Sequence, residues 1–201
     1  MRLAILGGTF DPVHFGHLLL ADSCREARGL DQVWFVPAAV SPHKTDTRPT
    51  AAHDRVAMLE LAIAGNEAFR VSRIEIERGG VSYTVDTLEA IAKEQPEAEL
   101  FFLMGADSLQ DFPKWRQPAR ICEIASPVIV RRYGAPDPEW HHLEGLMSRN
   151  RLQEAQSLAV EMPRTEFSSS SMRQRISRGQ TIRYWTPRSV QAYIESHKLY
   201  R

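Results

Sequence analysis

Leu3-Ala4-Ile5-Leu6-Gly7-Gly8-Thr9-Phe10-Asp11-Pro12-Val13-His14-Phe15-Gly16-His17 is the stretch on which the reading of this chain turns. An apolar run of strand length breaks at paired glycines, turns at Asp11-Pro12, and carries two histidines three residues apart into a helix-forming segment. Paired glycines let backbone N–H groups approach a bulky anion, and the start of a helix favours negative charge. Histidines placed there can donate hydrogen bonds to phosphate oxygens as charge shifts during a reaction. The stretch predicts a phosphate-handling loop between a strand and a helix.

Outward from it, strand-like and helix-like segments alternate. Leu3–Leu6 leads into a helix from His17 to about Arg28, with Leu18, Leu19, Ala21 and Cys24 on one face. Val33–Val36 reads as a strand ended by Pro37, and a loop rich in Pro, His and Thr runs to Pro49. Thr50 can cap a helix carrying Val56, Met58, Leu59, Leu61 and Ile63. Phe69–Val71 and Ile74–Ile76 give short strand signals, Gly79-Gly80 turns the chain, and Ser82-Tyr83-Thr84 opens a helix with Val85, Leu88 and Ile91. Leu100–Met104 is the longest buried-strand signal, ending at Gly105. A helical stretch is expected around Trp115 to Ile124, a strand at Val128–Val130, and a linker from Tyr133 to about His142. A polar helix at Leu146–Leu158, a short strand at Ala159–Met162 and two helices around Ser171–Arg178 and Pro187–His197 complete the chain.

Such alternation predicts an α/β fold: a Rossmann-like parallel sheet with helices on both faces and a C-terminal helical segment, as one domain over residues 1–201. Ligands in such folds bind beyond the carboxyl ends of the strands, where Gly7-Gly8 and Gly105-Ala106-Asp107 would line one crevice.

Bulk properties narrow the partners. The 201 residues are 43% hydrophobic, and 25 basic residues balance 25 acidic ones, so a general nucleic-acid-binding surface is not expected. Cys24 and Cys122 have no metal-ligand spacing and read as thiols in a reducing compartment. No run approaches the ~20 apolar residues that span a bilayer, and the first apolar run is too short for a signal-peptide core. A soluble, cytoplasmic protein is expected. His141-His142 has no carboxylate or cysteine at useful spacing and is read as a linker feature, with no metal site held by the protein.

Two common nucleotide signatures are missing, G-x-G-x-x-G after the first strand and G-x-x-x-x-G-K-[ST] anywhere, so neither a nicotinamide-dependent oxidoreductase nor a P-loop NTPase is favoured. The joint pattern G-G-T-F-D-P-x-H-x-G-H is far more specific than either histidine alone. Gly16 is read as leaving room beside the second histidine, and Asp11-Pro12 as fixing the turn that presents the first. The pattern resembles the signature of the nucleotidylyltransferase superfamily, relatives of class I aminoacyl-tRNA synthetases. The resemblance implies that Gly7, Gly8, Thr9, Phe10, His14 and His17 bind ATP, with both histidines stabilising the transition state.

Phe167-Ser168-Ser169-Ser170-Ser171-Met172-Arg173 by itself suits a polar loop before an N-capped helix. Beside the first motif it resembles the superfamily's I-S-S-T-x-I-R segment. That implies ATP phosphates on Ser168, Ser169 and Ser170, and Arg173 neutralising the leaving pyrophosphate. Phe167, Ser170 and Met172 depart from the family's aliphatic, threonine and isoleucine, which leaves open which serine donates.

Ser41-Pro42-His43-Lys44, Ser82-Tyr83-Thr84-Val85-Asp86-Thr87-Leu88, Gly105-Ala106-Asp107-Ser108-Leu109 with Trp115, and the ending Tyr193-Ile194…Leu199-Tyr200 are similar to the bacterial nicotinate-nucleotide adenylyltransferase family. Ser41 stands where that family usually has a second proline. The resemblance runs from Met1 to Tyr200 and is weakest between Tyr133 and Arg164. It implies adenylyl transfer from ATP to nicotinate mononucleotide, with Mg2+ held mainly by the ATP phosphates. Lys44 is a candidate partner for the acceptor phosphate, or a solvated surface lysine. The N–H groups at Ser82, Tyr83 and Thr84 can receive the pyridine carboxylate. Trp115 offers a stacking face worth about 0.5–2 kcal/mol, or packs in the core. Asp107 after Gly105 suits ribose hydroxyls or a helix cap, the resemblance implying the ribose or a metal, and Arg131-Arg132 lies near the crevice or at the surface. Nicotinamide mononucleotide or phosphopantetheine as acceptor, and a non-catalytic nucleotide-sensing module, are the alternative readings. A homo-oligomer is left open.

Overall fold

The computed structural model describes residues 1–41 and 49–201. Its centre is a parallel six-stranded sheet in the order β3-β2-β1-β4-β5-β6. The strands are β1 (Arg2–Gly8), β2 (Gln32–Pro37), β3 (Phe69–Val71), β4 (Glu99–Gly105), β5 (Ser126–Arg132) and β6 (Val160–Met162). β1 lies in the middle, paired with β2 from Leu3 opposite Gln32 to Gly8 opposite Pro37, and with β4 on its other edge. The order therefore reverses between β1 and β4, the place where ligand crevices open in doubly wound sheets.

The apolar runs are continuous because both faces are covered. On one face Ala4, Leu6, Val33, Phe35, Phe101, Leu103, Val128 and Val130 are buried under α1 (Phe15–Arg28), α2 (Ala52–Ile63), α7 (Ser169–Ser177) and α8 (Arg188–Ser196). On the other, Leu3, Ile5, Trp34, Val36, Leu100, Phe102, Met104 and Ile129 pack against α4 (Thr84–Glu94), α5 (Pro118–Ile124) and the 3-10 helix Ala106–Lys114. The short α3 (Ile74–Arg78) and the polar α6 (Arg149–Ser157) fill out the connections. Cys24 and Cys122 are buried free thiols in opposite cores. No helix among the described residues is long and apolar enough to cross a membrane.

Several local expectations change. Ile74–Ile76 is helical, within α3: the sheet edge closes where Ser72 N donates to Phe35 O, and the chain then turns Glu75 inward. The alternation that imitated a strand is overridden by that buried carboxylate. Thr50 does not cap α2. Ala51 occupies the cap, while the Thr50 backbone serves Asp11 and Arg55. Trp115 ends the 3-10 helix rather than opening a helix, because Pro113 and the αL residue Gln117 interrupt the segment before α5. The presumed linker contains a further 3-10 turn, Trp140–Leu143.

Phe35 is fully buried and its ring meets Phe69 at 5.3 Å and Phe10 of the signature loop at 5.8 Å. Phe35→Ala should lower unfolding free energy by about 3–5 kcal/mol in urea denaturation. A loss below about 1 kcal/mol would contradict this packing.

Candidate active site

The signature loop leaves β1 at Gly8 and enters α1 at Phe15, so His14 is the N-cap and His17 lies in the first turn. The two imidazoles stack at 3.7 Å, inclined by 21°. His14 N donates to His17 Nδ1 at 3.3 Å. An acceptor at Nδ1 puts the His17 proton on Nε2. Phe10 braces the other side of His17, edge-on at 5.0 Å, with its own ring buried. A Cβ on Gly8 would stand 3.0 Å from that ring, so the second glycine admits Phe10 beneath the loop. A Cβ on Gly16 would stand 3.0 Å from the His14 imidazole. The room that Gly16 leaves is therefore beside the first histidine, not the second.

Distant segments hold this loop. Arg55 Nη1 donates to Thr9 O at 2.8 Å, Arg173 Nη1 to Asp11 O at 2.7 Å, Ser169 Oγ to Pro12 O at 2.8 Å and Thr186 Oγ1 to Val13 O at 2.8 Å. The buried Asp11 carboxylate accepts from Tyr200 Oη at 2.7 Å and Thr50 N at 3.2 Å. Burial and the bond to Asp11 push the Tyr200 hydroxyl well above the usual tyrosine range. Arg55, Asp11, Thr186 and Tyr200 were not assigned these roles from sequence. The Asp11 motif position, Tyr200 in the resembling C-terminal segment and a charged residue on α2 are the signals the sequence offers for them.

Two cavities meet over the histidines. One of about 630 Å³ opens beyond β4 and β5, lined by His14, His17, Gly105, Asp107, Arg132 and Ser168–Ser170 among others. The other, about 260 Å³, opens beyond β1 and β2 and is lined by Thr9, Phe10, His17, Ala38–Ser41, Ser169 and Arg173. His17 and Ser169 belong to both. Ser168 is the N-cap of α7, accepting from Ser171 N at 3.1 Å, so its hydroxyl is engaged as the serine run alone would suggest. Arg173 Nη2 reaches Ser170 Oγ at 3.3 Å. Gly7 borders neither cavity, and a Cβ there would meet open space. Asp107 is exposed, 4.0 Å from Arg132 Nη2, and Gly105 rather than Asp107 takes the cap position. Arg131 and Arg132 both line the crevice, and Arg131 is in addition tied to Asp137 and Glu161.

Tyr83, Thr84, Trp115 and Ser82 line a separate cleft of about 80 Å³. Trp115 packs on Phe102 and Phe112 at 5.9 and 5.3 Å, as the core reading expects, and also borders the cleft. Ser82 is corrected. Its N–H is donated to Val40 O, and its hydroxyl accepts from Ala39 N, so it has neither group to spare for a ligand. The N–H groups of Thr84 and Val85 precede the first bond of α4, Thr87 N to Tyr83 O, and stand as the helix-start donors. Lys44 lies outside the described residues. Glu139 comes within 3.1 Å of His142 and, with His141, groups three metal-capable side chains, correcting the view that the histidines lack a carboxylate. None of the three borders these cavities.

Comparison with known proteins bears on this geometry. Residues 5–175 match the family model described as cytidylyltransferase-like. A "Probable nicotinate-nucleotide adenylyltransferase" of Thermus thermophilus is 42% identical over 203 residues, covering 100% of both chains. One of the same name from Thermomicrobium roseum is 41% identical over 200 residues, covering 100% of this chain and 92% of the other. The solved structure of Plasmodium falciparum nicotinic acid mononucleotide adenylyltransferase complexed with NaAD superposes with a TM-score of 0.75 at 18% identity, over 99% of this chain and 97% of that one.

His14 is 6% exposed, and its Nδ1 is buried without a partner among the described residues. Burial, with the nearby Arg132 charge adding to it, pushes its pKa down from 6.5 to about 4. The unfolded chain takes up this proton near pH 6.5 while the native state refuses it until about 4. Stability should therefore be full above 6.5 and fall by about 3 kcal/mol as the pH drops through that window. Histidine NMR titration checks the midpoint, and denaturation curves from pH 7 to 4 check the loss. An ordinary midpoint near 6.5 would contradict the burial.

Proposed function

The chain belongs to the cytidylyltransferase-like family and, within it, to the nicotinate-nucleotide adenylyltransferases, and on that premise we propose that it transfers the adenylyl group of ATP to nicotinate mononucleotide in NAD biosynthesis. The observation that carries the reading is the junction of two cavities at His17 and Ser169, with Arg173 on one side and His14 on the other. An adenylyl transfer needs one phosphorus reached from opposite sides, by an incoming phosphate and a departing pyrophosphate. A 5′-phosphate oxygen of the acceptor forms a bond to the α-phosphorus, the bond from that phosphorus to the bridging oxygen breaks, and pyrophosphate leaves. No protein nucleophile is required, because the attacking oxygen is already anionic.

The chain's residues then act by position and by neutralising charge. Neutral His14 and the Nε2–H of His17 donate to phosphoryl oxygens of the α- and β-phosphates. Arg173, fixed on Asp11 O, meets the leaving group together with the Ser169 and Ser170 hydroxyls. Thr9 and Phe10 contribute backbone beside His17, Gly8 makes room for Phe10, and Gly105 and Asp107 border the nucleotide. At the acceptor end, the N–H groups opening α4 take the pyridine carboxylate, Tyr83 and Trp115 flank the ring, and Lys44 is assigned the acceptor phosphate. The donor set suits Mg2+ held chiefly by the triphosphate: among the described residues Asp107 is the one carboxylate bordering the larger cavity, and both Asp11 oxygens are engaged. An ion of this kind keeps several waters and supplies further neutralisation of the phosphates when bound.

Incubation with Mg·ATP and, separately, nicotinate mononucleotide, nicotinamide mononucleotide or phosphopantetheine should release pyrophosphate fastest with the first. Release only with another acceptor would overturn the assignment, and chelation with EDTA should abolish turnover until Mg2+ is restored. His17→Ala should lower kcat by about 10²–10³, the loss of one transition-state donor. A near-normal kcat removes His17 from the chemistry. Trp115→Ala should raise the KM for the pyridine nucleotide more than that for ATP, and the reverse pattern would refute the stacking role.

A further inference from the structure

Beneath the acceptor cleft lies a carboxylate that the reaction does not use. Glu75 is 6% exposed, on the short α3. Its Oε1 accepts from Thr87 Oγ1 at 2.6 Å, and Arg78 Nη2 donates to the same hydroxyl oxygen at 3.1 Å. The Ser82 hydroxyl also faces the carboxylate and favours its charged form, while accepting from Ala39 N at 3.0 Å. Thr87 and Ser82 are themselves buried. Burial pushes the Glu75 carboxyl above the ordinary range, against the hydroxyls and Arg78, which favour its charged form.

The placement of those two hydroxyls is the informative point. Ser82 precedes α4 and Thr87 lies in its first full turn, so the carboxylate grips the chain on both sides of Tyr83, Thr84 and Val85. Through Ser82 it also reaches Ala39, in the segment 38–41 that walls the cavity beside Arg173. A parallel bridge between Val40 and Val81, and the bond from Ser82 N to Val40 O, tie the same two stretches together. One buried group thus fixes the helix start at the cleft beside Trp115 relative to the wall of the cavity next to the histidines. Those are the two ends of an acceptor that carries a ring at one end and a phosphate at the other.

We propose that Glu75 is a positioning residue for the acceptor, holding the start of α4 and segment 38–41 in the one arrangement that receives ring and phosphate together. This rests on the adenylyl-transfer reading above. Helix-start N–H groups bind a carboxylate only if they converge on it, and displacements of about 1 Å are enough to lose such an arrangement. The start of α4 borders neither cavity over the histidines, so loosening it acts on the acceptor before ATP.

The test is a steady-state comparison of Glu75→Ala, Glu75→Gln and Thr87→Val with the unaltered protein, each with its melting temperature. Glu75→Ala should raise the KM for nicotinate mononucleotide about tenfold or more, with the KM for ATP within roughly twofold. Glu75→Gln keeps an acceptor oxygen of the same shape and should recover much of that loss, whereas Thr87→Val should shift the same KM in the same direction. If Glu75→Ala does not fold, Thr87→Val and Glu75→Gln decide the matter. A lowered melting temperature with both KM values unchanged, or a parallel rise in both, overturns the proposal. Should the unaltered protein turn over a different acceptor, the nicotinate assignment falls, and the positioning role is judged on the KM of the acceptor actually used.

Discussion

The backbone carbonyls of the loop after β1 constrain everything around them. A loop that leaves a parallel strand and doubles back into a helix cannot pair its carbonyls within itself, and buried carbonyls must be paired. Here Thr9, Asp11, Pro12 and Val13 hand theirs to Arg55, Arg173, Ser169 and Thr186. Each bond draws in a segment far along the chain: α2, the first turns of α7, and the stretch before α8. Every carbonyl oxygen held in this way is also one kept from facing an anion. The loop's suitability for phosphate and the attachment of the C-terminal third of the chain are therefore the same set of contacts. Asp11 extends them, since its carboxylate joins Thr50 to Tyr200 near the chain's end.

That dependence explains what was legible in the sequence and what was not. The strands were legible because both faces of the sheet are covered, so Leu3–Leu6, Val33–Val36 and Leu100–Met104 had to be apolar without interruption. The histidines and Arg173 were legible as a joint pattern. The partners of the loop carbonyls were not, because a single Arg or Thr carries no periodicity, and the pairings span up to 173 residues. Ile74–Ile76 failed for a related reason: three residues fit a strand as well as a helix turn, and the deciding bond, from Thr87 to Glu75, comes from the next helix. Ser82 was assigned to a ligand from its place before a helix, yet its N–H and hydroxyl are both consumed by residues 39 and 40, which sequence spacing does not bring near.

The strand order supplies the geometry that those contacts refine. Because β1 is central and the order reverses beside it, the loop after β1 sits at the divide between the two cavities rather than at the edge of one. Helix α1 then starts at that divide and carries His17 into both. Ser169 reaches the same place from α7 because its hydroxyl is bound to Pro12 O. A reaction in which one anion displaces another needs such a divide, with donors common to both sides.

Binding two multiply charged anions does not require a basic protein here: 25 basic residues are matched by 25 acidic ones. The balance is resolved locally. Asp11 is turned inward onto Tyr200 and Thr50, and Arg131 absorbs Asp137 and Glu161, while Arg132 and Arg164 border one cavity and Arg173 the other. Between them stands His14, whose burial keeps it uncharged. A full positive charge would attract ground-state and transition-state phosphates alike. A neutral donor fixed by Gly16 and by stacking on His17 gains most as negative charge grows on the phosphoryl oxygens, which is the part of binding that accelerates a reaction. In the proposed transfer the arginines therefore collect the substrates, and the desolvated histidine discriminates between the bound state and the transition state.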